Sequence, residues 1–444
     1  MSTFLFATIP VAAHTSNPLP IAARLVERGH NVLWYVGSAY HDRIAAVGAQ
    51  PLPYVDAADF GGHDIFEYFP QFTGLSPLKT ISRAFADVFV GEAPARVRDL
   101  RRILAEHSVD AMLSDGLMYG VGMAGELEGV PWATFGDGPL PFEEPDTPPF
   151  GPGLLPMRGP VGRLRNRLLS VVAARVVFRD AQRVYDRARA DLGLPRDSRA
   201  VAGATGWPYL HLQASTPAFE YPHRNLPGHV HWVGALRPDA PKDWVPPVWW
   251  GEVTGSTRPV VHLTQGSLRP DLTELIIPSL QALADEEVLV VVTTGGASAD
   301  QVEAAYGGPL PTNARVTKFI PYDTLLAHTA LFLTNGGYSG VTLALAHGVP
   351  IVQAGTTEEK AEIAARIEWT GVGLRLGPIK PRPDAVREAV RRVLTEPSFR
   401  AAAENVHAEM ADHDAGVEAA VLMERLAAIR RPVPRDTSLA DFAA

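Results

Sequence analysis

Twice along this 444-residue chain, short apolar runs of strand character alternate with runs of helical period, and that alternation most restricts what it can become. Parallel strands need a crossover between them, so strand–helix alternation builds a parallel sheet covered on both faces. In the front half, residues 4–9 (FLFATI) read as a strand, 20–28 as a helix stopped by Gly29-His30, and 31–36 as the next strand. A strand at 111–114, a helix at 118–128 and a strand at 131–135 repeat the pattern. Two aromatic and proline-rich inserts, 54–89 and 135–157, interrupt it, and long irregular inserts of this kind are usually functional loops. Residues 217–259, rich in Pro, Gly and Trp, read as a linker. The alternation then restarts, with strands at 260–264, 288–293, 316–319, 329–333 and 350–354 and helices at 272–283, 339–347, 359–369 and 383–394. The expected fold class is α/β, with doubly wound domains at 1–216 and 260–413 facing across a cleft. A helical tail at 414–444, regular over 415–429, is expected to pack back on the first domain. Ligands of open α/β sheets bind outside the carboxyl ends of the strands, which would line that cleft.

A charged fraction of 20% and a hydrophobic fraction of 46% describe a globular chain. A formal net charge of −9 argues against a nucleic-acid backbone as partner, although residues 158–167 hold a local basic patch. With no cysteine, disulfides, zinc thiolates and thiol catalysis are excluded, and the cytoplasm is the simplest compartment. The opening MSTFLFATIPVAAHTSNP has no basic start and is broken by Pro10 and His14, so it reads as a buried strand, not a signal peptide. No run reaches the length of a transmembrane segment, and a monomer or homodimer is expected.

Residues 334–350, TNGGYSGVTLALAHGVP, set a glycine pair between a strand and a helix. Gly336 and Gly337 permit a tight turn, and the helix behind them presents unpaired N–H groups with about half a positive elementary charge. Such a turn can seat a phosphate or diphosphate, or can be a plain strand-to-helix loop.

Further motifs are TQGS at 264–267, TTG at 293–295, FIPYD at 319–323 and AGTTEEK at 354–360. Together with a His-bearing loop after the first strand, their order resembles the inverting nucleotide-sugar glycosyltransferases of the two-domain B fold. The resemblance is to the UDP-glycosyltransferase superfamily branch that acts on macrolides, other natural products and glycolipids, and it runs over nearly the whole chain. It implies two Rossmann-like domains, the first for the acceptor and the second for the nucleotide sugar. The chain departs from the broader family where Asn335 replaces a diphosphate-touching His, Leu343 a ribose-binding Glu, Tyr322 a Gln, and Glu359-Lys360 an Asp-Gln pair. These put the identity of the donor in question.

By position after the first strand, His14 is the candidate general base, because a neutral imidazole with a pKa near 6.5 suits that work at cellular pH; a loop histidine capping the first helix is the bland alternative. Asp115 closes the strand AMLS and would orient that ring and stabilise its imidazolium, or would cap the following helix; Ser114 is its neighbour. Charge developing on the leaving diphosphate must be met by fixed donors. For these the resemblance implies Gly266, Ser267, Asn335, Gly336 and Gly337, with Ser339, Gly340 and Val341 in the first helical turn. It also implies base contact at Phe319 and Ile320, polar groups at Thr293 and Thr294 unless these are plain turn residues, and sugar contact at Glu359 and Lys360, with Glu358 in competition. The acceptor is expected among the front-half aromatics, with Phe66, Phe69, Phe85, Phe89 and Phe135 as candidates unless they are core. No metal is expected, and Asp412-His413-Asp414, the one D-x-D, reads as a helix cap. No cofactor is expected beyond the co-substrate, a UDP- or dTDP-sugar. The implied reaction moves a hexose or deoxyhexose to a hydroxyl of a hydrophobic small molecule. A sugar-nucleotide-binding protein without turnover, a lipid or sterol glycosyltransferase, and an epimerase or phosphorylase on a similar fold are the alternatives.

Overall fold

The structure, a computed structural model, describes residues 1–63, 68–142, 144–205, 207–241, 243–266, 270–357 and 359–435. Thirteen strands form two sheets within those residues, every recorded pairing parallel. The first sheet holds β1 (Thr3–Ala7), β2 (Asn31–Tyr35), β3 (Gln50–Leu52), β4 (Ala111–Asp115), β5 (Trp132–Gly136), β6 (Leu210–Gln213) and β7 (Val230–Trp232), in the order 3-2-1-4-5-6-7. The second holds β8 (Val260–Thr264), β9 (Leu289–Thr293), β10 (Ala314–Thr317), β11 (Leu331–Thr334), β12 (Ile351–Gln353) and β13 (Gly373–Arg375), in the order 10-9-8-11-12-13. In each, the order reverses beside the first strand, which opens a crevice at the carboxyl edge next to β1 and next to β8.

The central strands are buried on both faces, which is why they read as continuous apolar runs. β1 sends Phe4 and Phe6 to one side, where they meet Trp34 and Phe135, and Leu5 and Ala7 to the other, against Val97, Met112 and Val121. β8 and β9 repeat the alternation. β7 lies inside the stretch expected to be linker, so the first sheet takes its edge strand from residues beyond 216. The tail helix Ala415–Ile429 packs on Leu19–Glu27 in the core of the first sheet. Glu424 fastens it by accepting from Arg28 Nε at 2.6 Å and Nη2 at 2.8 Å. Among the described residues no helix is long and apolar enough to cross a membrane.

Candidate active site

β1, β4 and β5 end side by side, with Ala7 opposite Ser114 and Asp115 opposite Phe135. Beyond β1 the chain turns at Val11 into the five-residue helix Ala12–Ser16, which carries His14 over that edge. Asp115 is fully buried, and its carboxylate accepts the N–H of Ile9 at 2.9 Å and of Leu117 at 2.8 Å. These two donors fix the carboxylate and also hold the loop that bears His14.

His14 Nδ1 stands 3.7 Å from Asp115 Oδ1 but 2.8 Å from Asp137 Oδ2. The nearer contact is a close ion-pair distance, and Asp137 acts on the ring first through its charge and then through its side-chain hydrogen bond. Asp137 follows β5 by one residue, in FGDGP, at the same kind of strand-end position that singles out Asp115. It escapes the sequence reading because that segment reads as an aromatic acceptor loop. Burial by itself would lower the pKa of His14, but the charges of Asp137, then Asp115, then Glu359 across the cleft outweigh it and raise it to about 9. The direction is toward the protonated ring, above the ordinary value of 6.5 that a neutral base would have. Burial raises the pKa of Asp115 against the opposing pull of His14.

On the facing sheet, Gly336 holds φ +91°, and a Cβ there would come within 2.7 Å of the Gln353 side chain. Gly337 precedes the helix Tyr338–Leu345 at φ −63° with no side-chain cap, so the first-turn N–H groups, those of Ser339 and Gly340 among them, are left for an outside acceptor. Asn335 is a brace: its Nδ2 donates to the carbonyl of Gln265, and its own carbonyl accepts Gln353 Nε2 at 3.0 Å. Gly266, at φ +73°, lies against the Asn335 amide, so the turns after β8 and β11 support each other. Val341 is core.

Thr293 closes β9 and Thr294 opens the turn behind it, and both hydroxyls are engaged within the domain. The Thr293 hydroxyl meets His262 Nε2 at 2.8 Å, and the Thr294 hydroxyl donates to the Ala297 carbonyl at 2.6 Å within the turn. Phe319, 47% exposed, presents an open ring face beyond β10, while Ile320 is buried. Glu359 stands just before the helix Lys360–Thr370. Lys360 is buried in a narrow cleft with Asn335, Gly355 and Thr357, not open between the sheets. Ser267, Glu358 and Phe66 lie outside the described residues.

Of the aromatic candidates, Phe135 is fully buried beside Phe6 and Trp34; its strand turns it to the core face, so it is corrected to a core residue. Phe69 and Phe89 are half-buried around Phe60, Phe72 and Val88, a cluster that also takes in Val11 just before the His14 helix. Phe85 packs edge-on against Phe89 and Phe178. Asp414 Oδ1 accepts from Val417 N–H at 3.2 Å and caps the tail helix.

The sheets are joined by buried polar bonds that no local sequence pattern signals. Gln213 at the end of β6 donates to the Tyr338 hydroxyl at 2.8 Å. Arg366 pairs with Glu220 of the front half and, at 3.1 Å, with Glu362. Glu362 also accepts the N–H of Gly151 at 2.9 Å and of Gly153 at 2.7 Å, tying the front-half proline-rich loop to the helix opened by Glu359.

Residues 277–426 match the family described as erythromycin biosynthesis protein CIII-like, C-terminal domain. The chain is 42% identical over 423 residues to 4'-demethylrebeccamycin synthase of Lentzea aerocolonigenes, covering 95% of this chain and 99% of that protein. It is 31% identical to UDP-glycosyltransferase 2 of Phaeomoniella chlamydospora, covering 96% and 95%. Its fold matches a solved calicheamicin glycosyltransferase with a TM-score of 0.73 at 21% identity, over 97% of this chain and 99% of that one.

Proposed function

We propose, for a chain that belongs to the UDP-glycosyltransferase family in its natural-product branch, a direct displacement with inversion in which His14 removes the acceptor proton. The chain is a glycosyltransferase. The donor we assign is a UDP- or dTDP-hexose or deoxyhexose, and the acceptor a hydroxyl on a hydrophobic small molecule. One observation carries the proposal: an imidazole at the carboxyl edge of the first sheet stands 2.8 Å from the Asp137 carboxylate and 3.7 Å from that of Asp115.

Nδ1 faces the two carboxylates, which leaves Nε2 for the acceptor O–H. As Nε2 takes the proton, the oxygen bonds to the anomeric carbon from the face opposite the diphosphate. The bond from that carbon to the phosphate oxygen breaks, and its electron pair leaves with the nucleotide. Asp137 and Asp115 stabilise the imidazolium that results. The N–H groups behind Gly336 and Gly337 meet the charge growing on the diphosphate. Phe319 offers its open face to the base, Glu359 faces the sugar, and the Phe69–Phe89 cluster receives the apolar aglycone.

The test is His14→Ala. Nucleotide should still raise the melting temperature, because the diphosphate seat is on the other sheet, while transfer falls by a factor on the order of 10³. Unchanged turnover would remove His14 from the reaction. Comparing the melting shifts given by UDP, dTDP and GDP identifies the base, and no shift with any of them would overturn the donor site.

A further inference from the structure

The helix Gly159–Val172 stands out from the body of the protein. Of its fourteen residues only Gly162 and Asn166 are buried. It is moored by the Asn166 amide on the Pro145 carbonyl at 3.0 Å and by Arg163 on Asp146 at 2.8 Å. At roughly 100° per residue, Val161, Leu164, Leu168, Val171 and Val172 fall on one stripe opposite the two buried positions. Val161 is 70% exposed, Leu164 60% and Leu168 58%; Val176, in the turn that follows, is 68% exposed. Large aliphatic side chains in a contiguous exposed row mark a surface that something covers.

The charge on the same element says what kind of surface. Residues 158–179 contain six arginines and no acidic residue, in a chain whose net charge is −9. Arg163, Arg167 and Arg165 flank the stripe on its two sides. Arg167, Arg175 and Arg179 have no ion pair or hydrogen bond among the described residues, so their charge is open. A second copy of this chain would bring a like-charged helix against this one. A protein partner would be met by aromatic anchors in pockets, whereas this face offers only protruding branched aliphatics. An aliphatic stripe bordered by arginines, with Arg167, Arg175 and Arg179 unpaired among the described residues, fits the boundary between lipid headgroups and acyl chains, with phosphates taking the open guanidinium groups.

We propose that residues 157–179 dock this protein peripherally on an anionic lipid surface, the stripe entering the acyl boundary and the arginines pairing with headgroup phosphates. The proposal is independent of the catalytic assignment, since neither His14 nor the diphosphate seat is involved. The full chain should float with vesicles of phosphatidylcholine containing a third phosphatidylglycerol, and not with phosphatidylcholine alone. Leu164→Glu with Leu168→Glu should cut that binding at least tenfold, as should Arg167→Gln with Arg175→Gln. Both double variants should keep the wild-type melting temperature and its shift with nucleotide. Failure of the native chain to bind anionic vesicles at low salt overturns the proposal, as does a leucine variant that binds them equally well. So does a native dimer in sedimentation that the leucine variant turns into a monomer, since the stripe would then be a self-contact.

Discussion

Two carboxylates within reach of one imidazole give the proposed base, His14, a particular pH dependence. The pKa of His14 is raised to about 9, above the ordinary value of 6.5, so the ring is charged below that pH and able to accept a proton above it. The rate under kcat/KM conditions should therefore climb with pH and level off only beyond about 9. Asp137→Asn removes the nearest charge, and the rising limb should move to lower pH while the plateau falls, since less imidazolium stabilisation remains. An unmoved limb in that variant would assign the titration to another group. The placing of His14 and Asp115 at one sheet edge was legible because each comes after an unambiguous apolar strand run. Asp137 has the same credential, but it lies at the mouth of an insert whose rings draw the eye to packing. The burial of Phe135 was hidden for a related reason: which face of a strand meets the core depends on its neighbours, not on its own residues.

The glycine-pair turn makes its demand at one position only. Gly336 is held at φ +91° with the Gln353 side chain where a Cβ would go, whereas Gly337 lies at φ −63° with nothing within 4 Å of that point. Gly336→Ala should cost on the order of 1–3 kcal/mol in stability and weaken nucleotide binding. Gly337→Ala should fold normally, and its effect on nucleotide binding will report how close the diphosphate comes. Equal stability of the two variants would contradict the turn geometry. Strands of four or five residues with continuous apolar character, such as β1, β8 and β9, were readable from composition. β3, β7 and β13 have three residues each, as β12 does, but unlike β12 they lack an apolar run to mark them, and they owe their existence to a parallel neighbour already in place.

Across the molecule, the two sheets are held in register by Arg366 between Glu220 and Glu362, all three buried. Arg366→Ala would leave two carboxylates without their cation and should destabilise the protein by about 3–5 kcal/mol, read from denaturant unfolding. Loss of less than 1 kcal/mol would mean that backbone N–H donors alone satisfy them. The Glu220–Arg366 bridge was not visible in the sequence, because partners separated by 146 positions leave no local spacing to read. The helix Ala415–Ile429 supplies core side chains to the first sheet although it follows the second. Recombination between relatives must respect that: a chimaera with a single crossover near position 250 would inherit a tail shaped for another parent's front half. Two crossovers, returning the tail to the sequence it evolved against, should preserve a native interior.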